Sequence, residues 1–92
     1  MKKFVFLYVG TDESPGVREQ WIAWFSENSA SFLDSGNPLA AGRHVTGQGA
    51  RTLDSAVTGY SLVLAADLAA AEAIAATSPA PGGVQVFEVL PM

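Results

Sequence analysis

The sequence has no cysteine, a single histidine and only five basic residues, Lys2, Lys3, Arg18, Arg43 and Arg51. Without cysteine there is no disulfide to stiffen the chain and no thiolate to hold a metal. His44, the one histidine, has no second histidine and no helical His/Glu spacing beside it, so no metal site is expected. With a formal net charge of −4 and no basic stripe, the chain lacks the electrostatic footprint of a nucleic-acid binder. No apolar run approaches the roughly 20 residues of a membrane-spanning helix. Lys2 and Lys3 precede an apolar run, but it stops at Gly10-Thr11-Asp12-Glu13 with no small-residue cleavage site, and the expected location is cytoplasmic.

Charge is also scarce: 49% of the 92 residues are hydrophobic and 15% charged. The length suits one domain, residues 1–92. A domain this short buries only roughly 60–65% of its unfolded surface and is marginal alone. So much apolar surface, with so few charges to cover it, implies burial against a second copy of the chain.

Along the chain, Phe4–Val9 is aromatic and β-branched and ends at Gly10, which predicts a strand. Both of its faces, Phe4/Phe6/Tyr8 and Val5/Leu7/Val9, are apolar, so both sides need cover. Ser14-Pro15 reads as a helix start, and Val17, Trp21, Trp24, Phe25, Asn28 and Phe32 recur at helical spacing before Gly36 and Pro38, predicting a helix over about 15–35. Leu39–Ala50, with three glycines, reads as an irregular edge strand followed by a hairpin-type loop over 51–56. Val57–Ala65 is a cleaner strand. Asp67 caps an alanine-rich helix over Leu68–Thr77 with a Leu68/Ala71/Ile74/Ala75 stripe; Ser78–Gly83 is a loop and Val84–Leu90 the last strand.

The order is βαββαβ. Right-handed crossovers place both helices on one face of a four-stranded antiparallel sheet, a ferredoxin-like α+β fold. The other face is left bare and apolar, and sheet-to-sheet homodimerisation covers it.

Phe4–Tyr8, Val17-Arg18-Glu19-Gln20, Ser35-Gly36-Asn37-Pro38-Leu39 followed by Ala41-Gly42, Thr58-Gly59 and Pro81-Gly82-Gly83-Val84, in this order and spacing, resemble the YCII-related family of dimeric α+β barrel proteins over nearly the whole chain. The resemblance implies a dimer with a pocket between the sheet and the first helix; some members act as small enzymes through a histidine and an aspartate. The chain departs from the family pattern at three places. Trp21 stands where the enzyme-like members have histidine, and an indole cannot relay protons. Arg43 replaces a proline, and the loop reads Arg51-Thr52-Leu53-Asp54 where a related branch has Asp-Gly-Pro-Phe.

The candidate site residues follow. His44 can act as acid or base near neutral pH, or lie in solvent with a merely structural role. Asp34, at the end of the first helix, is disfavoured by the helix dipole; it either orients the His44 imidazole or is simply exposed at a cost of a few tenths of a kcal/mol, roughly. Asn28, inside the apolar stripe, needs hydrogen-bond partners, on a strand backbone or in a pocket. Phe6 and Tyr8, with Trp21 and Tyr60, are the candidate ligand-contacting rings. RNA-binding domains of this topology stack bases on sheet aromatics, but the acidic charge and the lack of a Lys/Arg-Gly-aromatic run favour packing.

Three functions remain open: a cofactor-free enzyme on a small apolar or aromatic substrate, a ligand-binding module without catalysis, and a dimerisation or accessory domain with a filled interior. Fold alone does not choose among them. An open pocket holding His44 beside a carboxylate points to the enzyme, an open pocket without such a pair to the binder, and a filled interior to the accessory domain.

Overall fold

The computed structural model describes all 92 residues, Met1–Met92. The chain runs β1 (Lys2–Val9), α1 (Val17–Glu27), a 3-10 turn (Ser29–Ser31), β2 (Phe32–Asp34), β3 (Arg43–Thr46), β4 (Gly49–Thr52), β5 (Val57–Ala65), α2 (Leu68–Ala75) and β6 (Val84–Glu88). Four strands form one antiparallel sheet in the order β2-β5-β1-β6, and β3 and β4 form a separate hairpin. This is a small α+β protein with two helices and a four-stranded antiparallel sheet.

The period-two pattern of β1 is the key to the packing. Phe4 and Phe6 are completely buried and Tyr8 nearly so, and their partners across the ladder are Val63, Ser61 and Gly59. Trp24 of α1 and Ala71 and Ala75 of α2 complete this core, so both helices cover the same sheet face. The Trp24 indole N–H donates to the Thr77 hydroxyl at 2.9 Å and ties α1 to the end of α2. Burying each phenylalanine stabilises the fold by about 2–3 kcal/mol. Asp67 caps α2 as its residue type dictates, its carboxylate accepting from the Ala70 N–H at 2.8 Å.

The opposite sheet face carries Val5 and Leu7 of β1, paired in register with Leu62 and Tyr60 of β5, and Phe87 of β6 opposite Val5. Neither helix reaches it. Phe87 is 54% exposed and Leu33, on the edge strand, 53%.

The structure corrects several boundaries. The first helix ends at Glu27, not near residue 35, because Asn28 leaves helical geometry and its side-chain N–H caps the Trp24 carbonyl at 2.9 Å. Phe32 prolongs the helical spacing by coincidence: it sits on β2, opposite Val63, and its ring returns to Trp24 and Phe25 at 5.3 and 5.1 Å. Ser14 does not cap the helix. Gly16, at φ 87°, is the N-cap, while Ser14 turns back to Asp12. The stretch 39–50 is not the edge strand of the sheet. The edge is the three-residue β2, and 43–52 folds as the β3–β4 hairpin away from the sheet. The second helix ends at Ala75 and not Thr77, the last strand stops at Glu88 and not Leu90, and Leu68, expected on the inner stripe of α2, is 48% exposed.

The hairpin is a projecting arm. All twenty residues from 37 to 56 are exposed, with Val45 at 71%. The radius of gyration is 14.3 Å, against about 12 Å for a rounded chain of this length.

Candidate functional site

A cleft of about 420 Å³ opens where the C-terminal end of β1 meets α1. Such a volume suits a small organic ligand. Tyr8 from β1 and Trp21 and Phe25 from α1 form its aromatic wall. Trp21 and Phe25 lie 5.8 Å apart and inclined by 31°, whereas Tyr8 stands at 78° to Trp21 and 89° to Phe25. The three rings thus make a corner. The i, i+4 spacing of Trp21 and Phe25 puts both on one side of the helix, above the strand end that carries Tyr8.

The other walls are loops shaped by short polar contacts. Asp12 and Glu13 come from the β1–α1 loop, where the Asp12 carboxylate accepts the Ser14 N–H at 2.9 Å and also the Ser14 hydroxyl. These bonds stabilise the charged form and hold the Asp12 carboxyl below its usual range. Ser35–Pro38 follow β2. Here Asp34 accepts the Gly36 N–H at 2.8 Å, and Gly36, at φ 77°, presses its Cα onto the Tyr60 carbonyl. Thr58 of β5 closes the mouth, its hydroxyl donating to the Gly10 carbonyl at 2.8 Å.

Tyr8 offers the cleft its ring and not its proton. Its hydroxyl donates to Ser61 at 2.8 Å, and Ser61 donates to the Ser35 carbonyl at 2.6 Å. Burial pushes the phenol up to about 12, opposed in part by the Ser61 hydrogen bond. Between roughly pH 10, the value of an exposed phenol, and 12, the folded chain keeps a proton that the unfolded chain has lost. Tyr8 therefore stabilises the fold fully below pH 10, and the contribution disappears as pH rises towards 12. Urea midpoints measured across this window should fall in the wild type, and Tyr8→Phe should flatten the decline. An equal decline in the variant would show that Tyr8 is not its source.

The sequence-based candidates separate. Tyr8, Trp21 and Tyr60 line the cleft, though Tyr60 pairs in register with Leu7 and makes no ring contact with Tyr8. Phe6 is sealed in the core, 6.4 Å from the Tyr8 ring. Asn28 is occupied as the cap of α1. His44 lies exposed on the arm opposite Arg51, and Asp34 is exposed with its carboxylate on Gly36. Neither lines the cleft, and the one ion pair of the molecule is Lys2–Glu88 at 3.8 Å. No three His, Asp or Glu side chains gather closely enough to hold a metal ion, and no helix is long and apolar enough to cross a membrane.

Asp12, Glu13, Phe25 and Gly36 are cleft residues that sequence reasoning did not single out. A signal existed for the first two: they lie in a loop joining a strand to a helix, and binding residues are commonly carried on loops positioned by a rigid scaffold. Compared with known proteins, the chain matches no family model, no curated protein and no solved structure.

Proposed function

We propose that this chain is a homodimeric small-molecule-binding protein, ferredoxin-like and YCII-related, that holds its ligand between the sheet and α1 without catalysing a reaction on it. The observation that carries the reading is the open cleft with an aromatic corner of Tyr8, Trp21 and Phe25 and no histidine among its lining residues. The β2-β5-β1-β6 order supports the ferredoxin-like assignment, with the β3–β4 arm inserted between the second and third strands of the sheet. The cofactor-free enzyme with His44 and Asp34 as its proton-handling pair is disfavoured because both sit outside the cleft. A domain with a filled interior is disfavoured by the cleft itself.

Dimerisation is supported from two sides. The uncovered sheet face is apolar at its centre, with Lys3, Asp34 and Gln85 around it, and an exposed apolar patch rimmed by polar residues is the mark of an interaction surface. The arm is a two-stranded hairpin without a core of its own, which is marginal in isolation and needs a surface to lie on. Arg43 and Arg51 against Asp54 leave segment 37–56 at +1, while the other 72 residues carry −5 of the chain's net −4. A basic arm and an acidic body are complementary between copies. The proposed setting is the cytoplasm.

Sedimentation equilibrium at micromolar concentration should give the mass of two chains. A fragment library followed by amide and indole NMR shifts should move Thr11–Glu13 and Trp21 together. A stable single chain would remove the dimer from this reading. A library that leaves those signals in place would remove the ligand.

A further inference from the structure

The cleft is one-sided in charge. Its lining contains two carboxylates, Asp12 and Glu13, and no lysine, arginine or histidine. The basic residues are all elsewhere: Lys2 and Lys3 begin β1 at the end away from Tyr8, Arg18 is exposed on α1, and Arg43 and Arg51 are on the arm. An anion entering the cleft would therefore meet two negative charges and no cation to pair with.

The wall opposite those carboxylates in chemical character is also electron-rich. An aromatic ring presents the negative part of its quadrupole on its face, and an ammonium group is attracted to it. Trp21 and Phe25, gently inclined to one another, with the nearly buried Tyr8 packed almost perpendicular against both, make an aromatic wall on which a cation can rest. The Tyr8 hydroxyl is committed to Ser61, so the ring is what Tyr8 contributes. The Ser14 contacts fix the Asp12 carboxylate in the loop that forms the rim.

We propose that the cleft selects a small organic cation, an amine or quaternary ammonium, seated against Tyr8, Trp21 and Phe25 with its charge compensated by Asp12 and Glu13. This rests on the small-molecule reading above and adds to it the sign of the ligand's charge. Desolvation is modest in an open cleft, so discrimination comes from the combined field of two carboxylates and three rings, and it weakens with added salt.

The test uses three probes of similar size and different charge: benzyltrimethylammonium, benzyl alcohol and benzoate, titrated into the full chain at low ionic strength and followed by NMR shifts of Thr11–Glu13 and the Trp21 indole. The cation should bind about tenfold more tightly than the alcohol, with benzoate weakest. The double variant Asp12→Asn, Glu13→Gln keeps acceptors for Ser14, and in it the preference should shrink to about threefold or less, the residue of the ring contribution. Trp21→Leu should weaken the cation more than the alcohol. If the alcohol or benzoate equals the cation, the charge selection is overturned while the cleft stands as a ligand site. If the cation leaves these signals unmoved and neutral or anionic library members move them, the proposal fails alone. If nothing moves them, the small-molecule reading fails with it.

Discussion

Gly36→Ala should destabilise the protein by about 3–5 kcal/mol, among the larger effects a single methyl group can have. Two independent penalties act at this position. The backbone there has φ 77°, a left-handed conformation that costs an alanine roughly 1–2 kcal/mol. A Cβ at Gly36 would also stand 1.8 Å from the Tyr60 carbonyl oxygen and 2.7 Å from its carbon, with backbone on both sides of the contact and no flexible side chain to yield. Relief requires β2 and the 35–38 loop to move off β5, which opens the Ser61–Ser35 hydrogen bond and with it the floor under Tyr8. A domain of this size holds on the order of 5–14 kcal/mol in all, so the variant is near the limit of folding. Gly47→Ala is the control: nothing lies within 4 Å of its Cβ position, and its φ is not positive. Urea titrations should place Gly47→Ala within about 0.5 kcal/mol of the wild type. Equal midpoints for the two variants would show that the chain does not make the close approach at Gly36.

Leu62→Lys should convert the proposed dimer to single chains, raising the dissociation constant at least about 100-fold, or roughly 3 kcal/mol. Leu62 is half-buried at the middle of the uncovered sheet face, with Val5 beside it in the ladder and Phe87 beyond. In a monomer a lysine there can extend its stem along the sheet and keep its ammonium in water, so the fold itself tolerates it. Against a second sheet the same charge is desolvated, with only the Asp34 carboxylate across the β2–β5 ladder, itself bonded to the Gly36 N–H, beside it. Ala73→Lys, on the exposed side of α2, changes the net charge equally and should leave the association intact. Sedimentation equilibrium and far-ultraviolet circular dichroism on the two variants separate dissociation from unfolding. An undiminished dimer in Leu62→Lys would mean that the chains meet elsewhere.

Elements with a strong period could be read from residues alone. β1, β5 and the capped start of α2 follow from alternation, β-branching and Asp67, and the two-residue repeat groups Phe4, Phe6 and Tyr8 on one face, but with Val5, Leu7 and Val9 equally apolar it does not say which face the helices cover. What escaped was short or borrowed its pattern. β2 has three residues, too few to display a period. Its Phe32 continued the helical spacing of α1 because a strand residue and two helix residues converge on one aromatic cluster. The arm alternates like an edge strand because a free hairpin and an edge strand impose the same local geometry; only tertiary pairing tells them apart.

The site divides in the same way. Tyr8 and Trp21 each lie on an apolar stripe of their own element, and the resemblance implies a pocket between sheet and first helix, but which face of β1 meets that helix is set by tertiary packing. Asp12 and Glu13 lie in a loop whose path depends on Ser14 turning back and on Gly10 at φ 85°, which no periodicity reports. His44 is the one imidazole of the chain, but a residue's chemistry does not determine where the fold carries it. Asp34 proved to matter through Gly36: its carboxylate shapes the turn from which the cleft wall hangs.

The arm also bears on how the chain can be handled and how it can diversify. The β3–β4 ladder shares no strand with the main sheet, and the turn at Gly47-Gln48 is exposed. A protease can reach this tip while β1, β5 and both helices remain assembled, and a peptide tag or extra loop inserted there leaves the principal ladder undisturbed. Lengthening the chain at this exposed turn adds little closure entropy.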